Sequence, residues 1–317
     1  MDPVVILIAF VIQAVRISTP YVFASVGGVF CERGGVVNIA LEGILLTAAF
    51  GCVAGAFWGV EALGLEPQKA AWMGVGTGIA GGLAMGLLLA VTAVTFKGDQ
   101  IIAGLAINIF AAGFTKMFCD VLFDSPSNSP RIPVLEAPEW LSGGPLAGAA
   151  MLAHPLILLA AAIVGVSAIV LGRTRFGLRL RAVGENPEAA DTLGIPVAGY
   201  RFAGVLIGSG VAALGGVWLA TAQGLFSAGM SGGRGYIALA ALIVGKWRPA
   251  GAALACLLFG AAEALQIHLQ TRGITAIPAQ FLQMLPYLLT ILILAGFIGR
   301  AIPPAADGRP YEKEQFD

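Results

Sequence analysis

The chain has 317 residues, of which 58% are hydrophobic and 11% charged, and its mean hydropathy is +0.87. Soluble proteins carry about 25% charged residues, so this composition excludes a soluble globular domain and predicts an integral membrane protein. The 18 basic residues balance the 18 acidic ones, which argues against a nucleic-acid partner.

A helix that spans a membrane needs about 20 apolar residues. On this basis we predict an all-α, polytopic fold with about nine membrane segments. The first segment is interrupted at Arg16 and Pro20 and is too long for one straight crossing, and the seventh is too short for a crossing. We therefore predict that the seventh is a re-entrant half-helix, which is tolerated only where it is buried in protein or lines a cavity. The segments are 4–30, 35–60, 71–95, 100–123, 155–172, 200–222, 235–247, 250–267 and 281–299.

Polar residues inside the second and fourth segments need a reason, because polar groups are costly in a bilayer. Glu42 follows Asn38 by four residues, so we expect the two side chains to share one helix face. Asn108 lies deep in the fourth segment. All three residues are candidates for a substrate pathway, and interhelical hydrogen bonds that only lock the packing are an equally good interpretation.

A hydrophilic loop at 173–199 separates the fifth and sixth segments, and Asn186–Gly194 has the features of a short capped helix. Asn186 suits the N-cap and Pro187 the first helical position. Glu188 complements the positive end of the helix dipole, and Gly194 provides a left-handed stop. A membrane protein that builds such a helix in a loop is expected to present it to a partner.

Gln223, Phe226 and Tyr236 bracket the short seventh segment. Aromatic rings beside amides suit the stacking and edge hydrogen bonding of a flat, polar ligand. We add these three residues to the candidate substrate pathway.

Two stretches of the chain align without gaps, residues 34–43 (GGVVNIALEG) and 232–241 (GGRGYIALAA). Five predicted crossings separate them, so they enter the membrane from opposite sides, as in inverted repeats that enclose a substrate path. We predict repeats over about 20–123 and 200–299 within a single transmembrane domain, 1–317. Chance similarity remains the alternative in so glycine-rich a chain.

Lysine and arginine concentrate in loops that alternation places on the side of 173–199, which predicts that this side is cytoplasmic. The C-terminus is then cytoplasmic and the 124–150 loop external. No catalytic constellation or metal site is predicted, because the two histidines have no neighbouring cysteine or carboxylate. The chain also lacks a G-x-x-x-x-G-K-[ST] motif for nucleotide phosphates.

Residues 188–194 (EAADTLG) resemble the E-A-A-x-x-x-G pattern in the cytoplasmic loop of ABC importer permeases. The later apolar part of that signature is not evident, so the maltose-type class is not the match. Residues 181–195 are similar to the ribose and branched-chain amino acid class. Within it, residues 32–43, 98–108 and 235–245 resemble the nucleoside branch, which works with BMP-family binding proteins.

The resemblance implies a non-enzymatic importer subunit in a bacterial inner membrane. Its partners would be an ATPase that holds ATP and Mg²⁺, a longer homologous permease and an extracytoplasmic BMP-type binding protein; the chain itself would bind no cofactor. Simple sugars are the alternative substrate, and an ion-coupled transporter acting through Glu42 or Asp99 is the alternative mechanism. The implied coupling residues are Arg179, Arg181, Glu185, Asn186, Pro187, Glu188, Ala189, Ala190, Asp191 and Gly194.

Overall fold

The computed structural model describes residues 3–135, 151–271, 284, 288 and 301–312. Within these ranges the fold is all-α, as predicted, and the only β pairing is an isolated bridge between Asn128 and Ser227. The helices are α1 (Pro3–Arg33), α2 (Leu41–Glu61), α3 (Pro67–Ala90), α4 (Gln100–Phe123), α5 (Pro155–Arg173), α6 (Arg175–Glu185), α7 (Pro187–Thr192), α8 (Val197–Gln223), α9 (Arg234–Val244) and α10 (Pro249–Thr271).

Seven of the described helices are long and apolar enough to cross a membrane: α1, α2, α3 with its π-helical extension to Thr95, α4, α5, α8 and α10. The predicted short segment is α9, whose 11 residues extend only about 16 Å. The structure is therefore that of a multi-pass membrane protein. The predicted count of nine segments is not confirmed, because 281–299 lies almost wholly outside the described residues.

The first segment is one continuous helix, so the predicted interruption at Arg16 and Pro20 is wrong. Proline has no N–H, and the carbonyl four residues earlier in a helix loses its donor. Here that carbonyl belongs to Arg16, and the indole Nε1–H of Trp218 donates to it at 3.1 Å. The hydroxyls of Ser18 and Thr19 also bond to carbonyls one turn back. At 31 residues, or about 46 Å, α1 exceeds the thickness of a bilayer core.

The chain between α1 and α2 is not helical, and its residues are mostly buried. Gly35 has a φ of +83°, which glycine adopts without strain. Because α2 begins only at Leu41, Asn38 lies outside it, and the predicted shared helix face of Asn38 and Glu42 is wrong. Val37 N–H donates to the Gln100 side chain at 2.7 Å and ties this segment to the start of α4.

Small residues allow the central helices to pack closely. A Cβ on Gly27 of α1 would collide with the Gly208 carbonyl of α8, and one on Gly78 of α3 would lie 2.8 Å from the Ala48 carbonyl of α2. Such contacts between small residues are the main packing device of helices in membranes. They hold α1, α2, α3 and α8 around the segment that leads into α2.

Helices α6 and α7 lie at one end of the bundle, here called the α7 end. Arg33, at the end of α1, is 3.8 Å from Glu185 of α6, and its Nε donates to the Trp247 carbonyl at 2.9 Å. The turns that connect α3 to α4 and α9 to α10 lie at the same end, since Lys97 pairs with Glu312 of the C-terminal segment. The basic residues Arg33 and Lys97, which the charge distribution predicts on the same side as loop 173–199, thus lie at the same end as α6 and α7.

Candidate substrate pathway and coupling surface

Helices α2 and α9 begin inside the bundle with their N-termini against each other. Gly233 precedes α9 with a φ of +81°, and Gly235 lies in its first turn. A Cβ on Gly235 would be 2.8 Å from the Leu41 carbonyl carbon and closer still to the backbone of Glu42. Only glycine allows this approach, so the two helix ends meet backbone to backbone.

The Glu42 carboxylate joins these two helix ends. Gly233 N–H donates to Oε1 and Gly235 N–H to Oε2, both at 2.7 Å. Backbone N–H groups at the start of a helix have no partner within it and carry partial positive charge. The backbone amides at the start of α9 therefore bind a carboxylate from the first turn of α2.

Asn108 of α4 caps the start of α2 in a similar way. Its Oδ1 accepts from Gly43 N–H at 2.7 Å, and its Nδ2 donates to the Ile39 carbonyl at 2.9 Å and to the Tyr236 hydroxyl at 3.1 Å. The side-chain amide is thus fully engaged. It links α2, α4 and α9 at one point.

This cluster lies deep in the bundle. Asn108 is eight residues into α4 from Gln100, which is about 12 Å along the axis. Helix α9 descends about 16 Å from Gly233 to the α7 end. Since a bilayer core is about 30 Å thick, the meeting point of the α2 and α9 N-termini falls near its middle.

A cavity of about 290 Å³ opens at this point and is lined by Glu42, Asn108, Ser231 and Tyr236 together with small and apolar residues. Tyr236 is 45% exposed, so its ring forms part of the wall. Among the described residues that line it, none is basic. The volume is near the lower limit of small-molecule sites.

The other three predicted pathway residues lie elsewhere. Asn38 is buried and donates to Cys31 Sγ at 3.2 Å. Phe226 is fully buried and packs edge to face on Phe50, with ring centroids 5.3 Å apart. Gln223 lines a separate cavity of about 550 Å³ with Arg16, Trp218 and Arg234.

Sequence reasoning missed Ser231 and the part that backbone amides play in holding Glu42. The glycines at 232, 233 and 235 were the available signal, because a glycine cluster ahead of an apolar run permits close backbone approach. It could not indicate which side chain would bind there.

The short helix predicted within 186–194 is confirmed as α7. Asn186 Oδ1 accepts from Ala189 N–H at 3.0 Å, Pro187 is the first helical residue, and Gly194 has a φ of +75°. Ala190 is buried in an apolar cluster with Val183 and Val197. This anchor fixes α7 to α6 and α8.

The outer surface of α7 is open. Glu188 and Ala189 are exposed, and the neighbouring Leu193 is 80% exposed. Arg179 donates to the Tyr200 hydroxyl at 3.3 Å, and Glu185 accepts from Ala305 N–H at 3.3 Å in addition to its pair with Arg33. Of the implied coupling residues, Glu188 and Ala189 are thus presented outward, while Glu185 is held by contacts within the chain.

The C-terminal segment 301–312 lies across the α7 end. Ala306 N–H donates to the Gly184 carbonyl at 2.9 Å, and Arg201 donates to the Arg309 carbonyl at 2.7 Å. Tyr311 packs on the apolar cluster that contains Ala190. The segment therefore ties α7 to α6 and α8 in addition to the connection that runs through the chain.

Asp307 is the most perturbed acid of this segment. Burial raises the pKa of its carboxyl to about 7, while the Arg201 guanidinium and the Gly308 backbone N–H oppose that rise. A cavity of about 490 Å³ beside it is bordered by α7 and the segment, including Glu188 and Tyr311.

Comparisons with known proteins find similarity to transport components. Residues 10–294 match the model of a family described as branched-chain amino acid transport system / permease component. The chain is 41% identical over 304 residues to the nucleoside ABC transporter permease protein NupC of Lactococcus lactis, covering 94% of this chain and 95% of the relative. It is 39% identical over 321 residues to the guanosine ABC transporter permease protein NupQ of Bacillus subtilis, covering 99% of both. The putative glucose ABC transporter permease protein TsgC13 of Haloferax volcanii is 31% identical over 304 residues, with 89% of both covered.

Proposed function

The chain belongs to the family of permease components of branched-chain amino acid transport systems, and on that premise we propose that it is the membrane subunit of an ABC importer for nucleosides. Two relatives whose names include nucleoside or guanosine ABC transporter permease match almost its whole length. The chain is a transport component, and the hydrolysis of ATP with Mg²⁺ belongs to a separate ATPase subunit.

The observation that supports this function best is the meeting of α2 and α9 at the cavity with Glu42, Asn108 and Tyr236. Transporters place solute sites near the midplane, where broken helices present their ends. Irregular backbone inside a membrane is tolerated only where it is buried or lines a water-filled path. The arrangement fits a path that receives a polar, uncharged solute.

We propose the following cycle. A BMP-type binding protein delivers the nucleoside at the end of the bundle opposite α7. This chain and a longer homologous permease form the path between them, and two ATPase subunits drive the exchange between outward-open and inward-open states. Rigid-body movement of packed bundles is a common way to achieve such exchange.

In this proposal α7 is the coupling helix. Its N-cap bond and its apolar anchor at Ala190 make it move as one body with α6 and α8. The exposed Glu188 and Leu193 offer a charged and an apolar contact to the ATPase. Arg179 and Arg181 precede them on α6 and would add pairs with acidic ATPase residues.

We propose that the α7 end faces the cytoplasm of a bacterial cell, with the C-terminus on the same side. Many basic residues lie at this end: Arg33, Lys97, Arg248 and the arginines of α6. Basic residues concentrate on the cytoplasmic side of membrane proteins.

Reconstitution with the ATPase, the second permease and the binding protein tests this function. We expect ATP-dependent nucleoside uptake, which should stop when the ATPase is omitted. Glu188→Arg reverses a charge on α7, and Gly194→Pro forbids the positive φ at its end, so either should uncouple ATP hydrolysis from uptake while the complex still assembles. The control Glu61→Arg reverses an exposed charge at the other end of the bundle. Accumulation of nucleoside by this chain without ATPase subunits would refute the proposal, and unchanged uptake in both α7 variants would refute the role of α7.

Simple sugars are the second candidate, because the Haloferax relative is named as a putative glucose permease. Competition decides between the two. If unlabelled glucose or ribose inhibits uptake in the complete system while nucleosides do not, the chain belongs to a sugar importer.

A further inference from the structure

The cavity of about 290 Å³ at the meeting point of α2 and α9 is here called the midplane cavity. Its described lining is acidic and not basic. A carboxylate, from Glu42, is the charged side chain on its wall, and the described lining residues include no lysine or arginine. An anionic solute such as a nucleotide would meet like charge in a medium of low dielectric constant. A neutral solute that donates hydrogen bonds would be accepted.

Two of the polar side chains have settled roles. Both amide protons of Asn108 and its oxygen are already bonded to Ile39, Tyr236 and Gly43, so Asn108 positions its neighbours and offers little to a solute. The Tyr236 hydroxyl accepts from Asn108 and keeps its own proton. Its half-exposed ring offers a flat face on which an aromatic base can stack.

Glu42 and Ser231 are the remaining polar side chains of the described lining, and of these two Glu42 is the one that offers a pair of acceptor oxygens. A carboxylate has about four lone-pair positions, and the bonds from Gly233 and Gly235 occupy one on each oxygen. These backbone bonds fix the plane of the carboxylate, so binding a solute costs little further ordering. Glu42 thus presents two adjacent, oriented acceptors to the cavity.

We propose that Glu42 binds the vicinal hydroxyls of the solute's sugar ring, while the base lies against Tyr236. This inference rests on the proposed function, since it concerns how that path selects its solute. Paired hydroxyls match two adjacent carboxylate oxygens, and acidic residues bind ribose hydroxyls in the same way in dinucleotide-binding folds. Guanosine and glucose, the solutes in the names of two of the relatives, both contain such hydroxyls. The path therefore favours ribonucleosides over 2′-deoxyribonucleosides and rejects 5′-phosphates.

The experiment compares uptake of inosine and 2′-deoxyinosine by the complete importer, in the wild type and in Glu42→Gln. The binding protein is the same in both, so a change in the ratio of the two uptake rates belongs to the permease. We expect a wild-type ratio that is about tenfold higher than the variant's, corresponding to the loss of one charge-assisted hydrogen bond. Glu61→Gln removes an exposed carboxylate on the same helix and should keep the wild-type ratio.

A Glu42→Gln importer that transports both solutes with the wild-type ratio overturns the proposal. If Glu42→Gln fails to assemble, binding to the wild-type complex in nanodiscs, without the binding protein, decides instead. Thermal stabilisation by inosine but not by 2′-deoxyinosine supports the proposal, and equal stabilisation by both, or none by either, refutes it. A wild-type importer that takes up no nucleoside at all refutes the proposed function itself.

Discussion

The bond from Trp218 supplies the Arg16 carbonyl with the donor that Pro20 cannot provide within α1. The carbonyl has lost its helical donor, and Trp218 replaces it from α8 while being almost completely buried. In a membrane there is no water to satisfy a backbone carbonyl that is left alone. We therefore expect the contribution of Trp218 to depend on the proline.

The magnitude follows from what each substitution removes. Trp218→Phe keeps an aromatic ring but deletes the donor, which should cost about 1–3 kcal/mol for the unsatisfied carbonyl and about 1 kcal/mol for lost apolar area. In a Pro20→Ala background, the new N–H of residue 20 lies in position to bond to the same carbonyl. The first cost should then disappear, so Trp218→Phe becomes about 1–2 kcal/mol less destabilising.

The assay is a double-mutant cycle on the four proteins, unfolded by SDS in mixed micelles and followed by far-UV circular dichroism. Trp58→Phe is the matched control, because Trp58 is 53% exposed, and it should change the free energy of unfolding by less than about 0.5 kcal/mol. Equal costs of Trp218→Phe in the two backgrounds, within about 0.3 kcal/mol, would refute the reasoning.

Two further outcomes are expected. Gly235→Ala should abolish transport, because its Cβ would collide with the backbone where α2 begins. Gly113→Ala is the control and should leave transport unchanged, since there is open space around Gly113. An active Gly235→Ala protein would show that the helix ends do not meet as described. For the C-terminal segment, the pKa of Asp307 is raised to about 7 when the segment is docked, from its usual value near 3.8. Between these two pH values the docked carboxyl keeps a proton that a released carboxyl has lost. Docking should therefore weaken as pH rises from about 4 to about 7, so hydrogen exchange of 301–312, corrected for its intrinsic pH dependence, should be faster at pH 8 than at pH 5. Asp307→Asn should remove the difference, and a profile that stays unchanged in this variant would contradict the assignment.

Local signals made α7 predictable. Asn186, Pro187 and Gly194 each act within a few residues, and a cap, a fixed φ and a left-handed stop can be identified without knowing what surrounds them. The short length of α9 was likewise evident from its apolar run. Both features are set by neighbours in sequence, and the structure confirms both.

The site was predictable only in part. Glu42, Asn108 and Tyr236 were identifiable because polar groups in apolar segments need a reason, and the structure brings these three together. Phe226 shares the chemistry of a ligand-stacking residue but is buried in the core, which depends on distant packing. Asn38 was misplaced because the apolar pattern does not reveal that α2 begins only at Leu41.

Long-range partners explain the remaining error. A proline within an apolar run ordinarily indicates a break, and the donor that prevents it here is 202 residues from Arg16 along the chain. The inverted repeats over 20–123 and 200–299 stay a prediction, since 281–299 falls almost entirely outside the described residues.

The docking of residues 301–312 has a consequence for the order of biosynthesis. Tyr311 completes the apolar cluster around Ala190, and Ala306 bonds to Gly184, so the surface that carries α7 is finished only after residues 301–312 have been synthesised. A nascent or prematurely terminated chain displays α7 without this support. A chain that stops before residue 301 therefore holds α7 only through its contacts with α6 and α8.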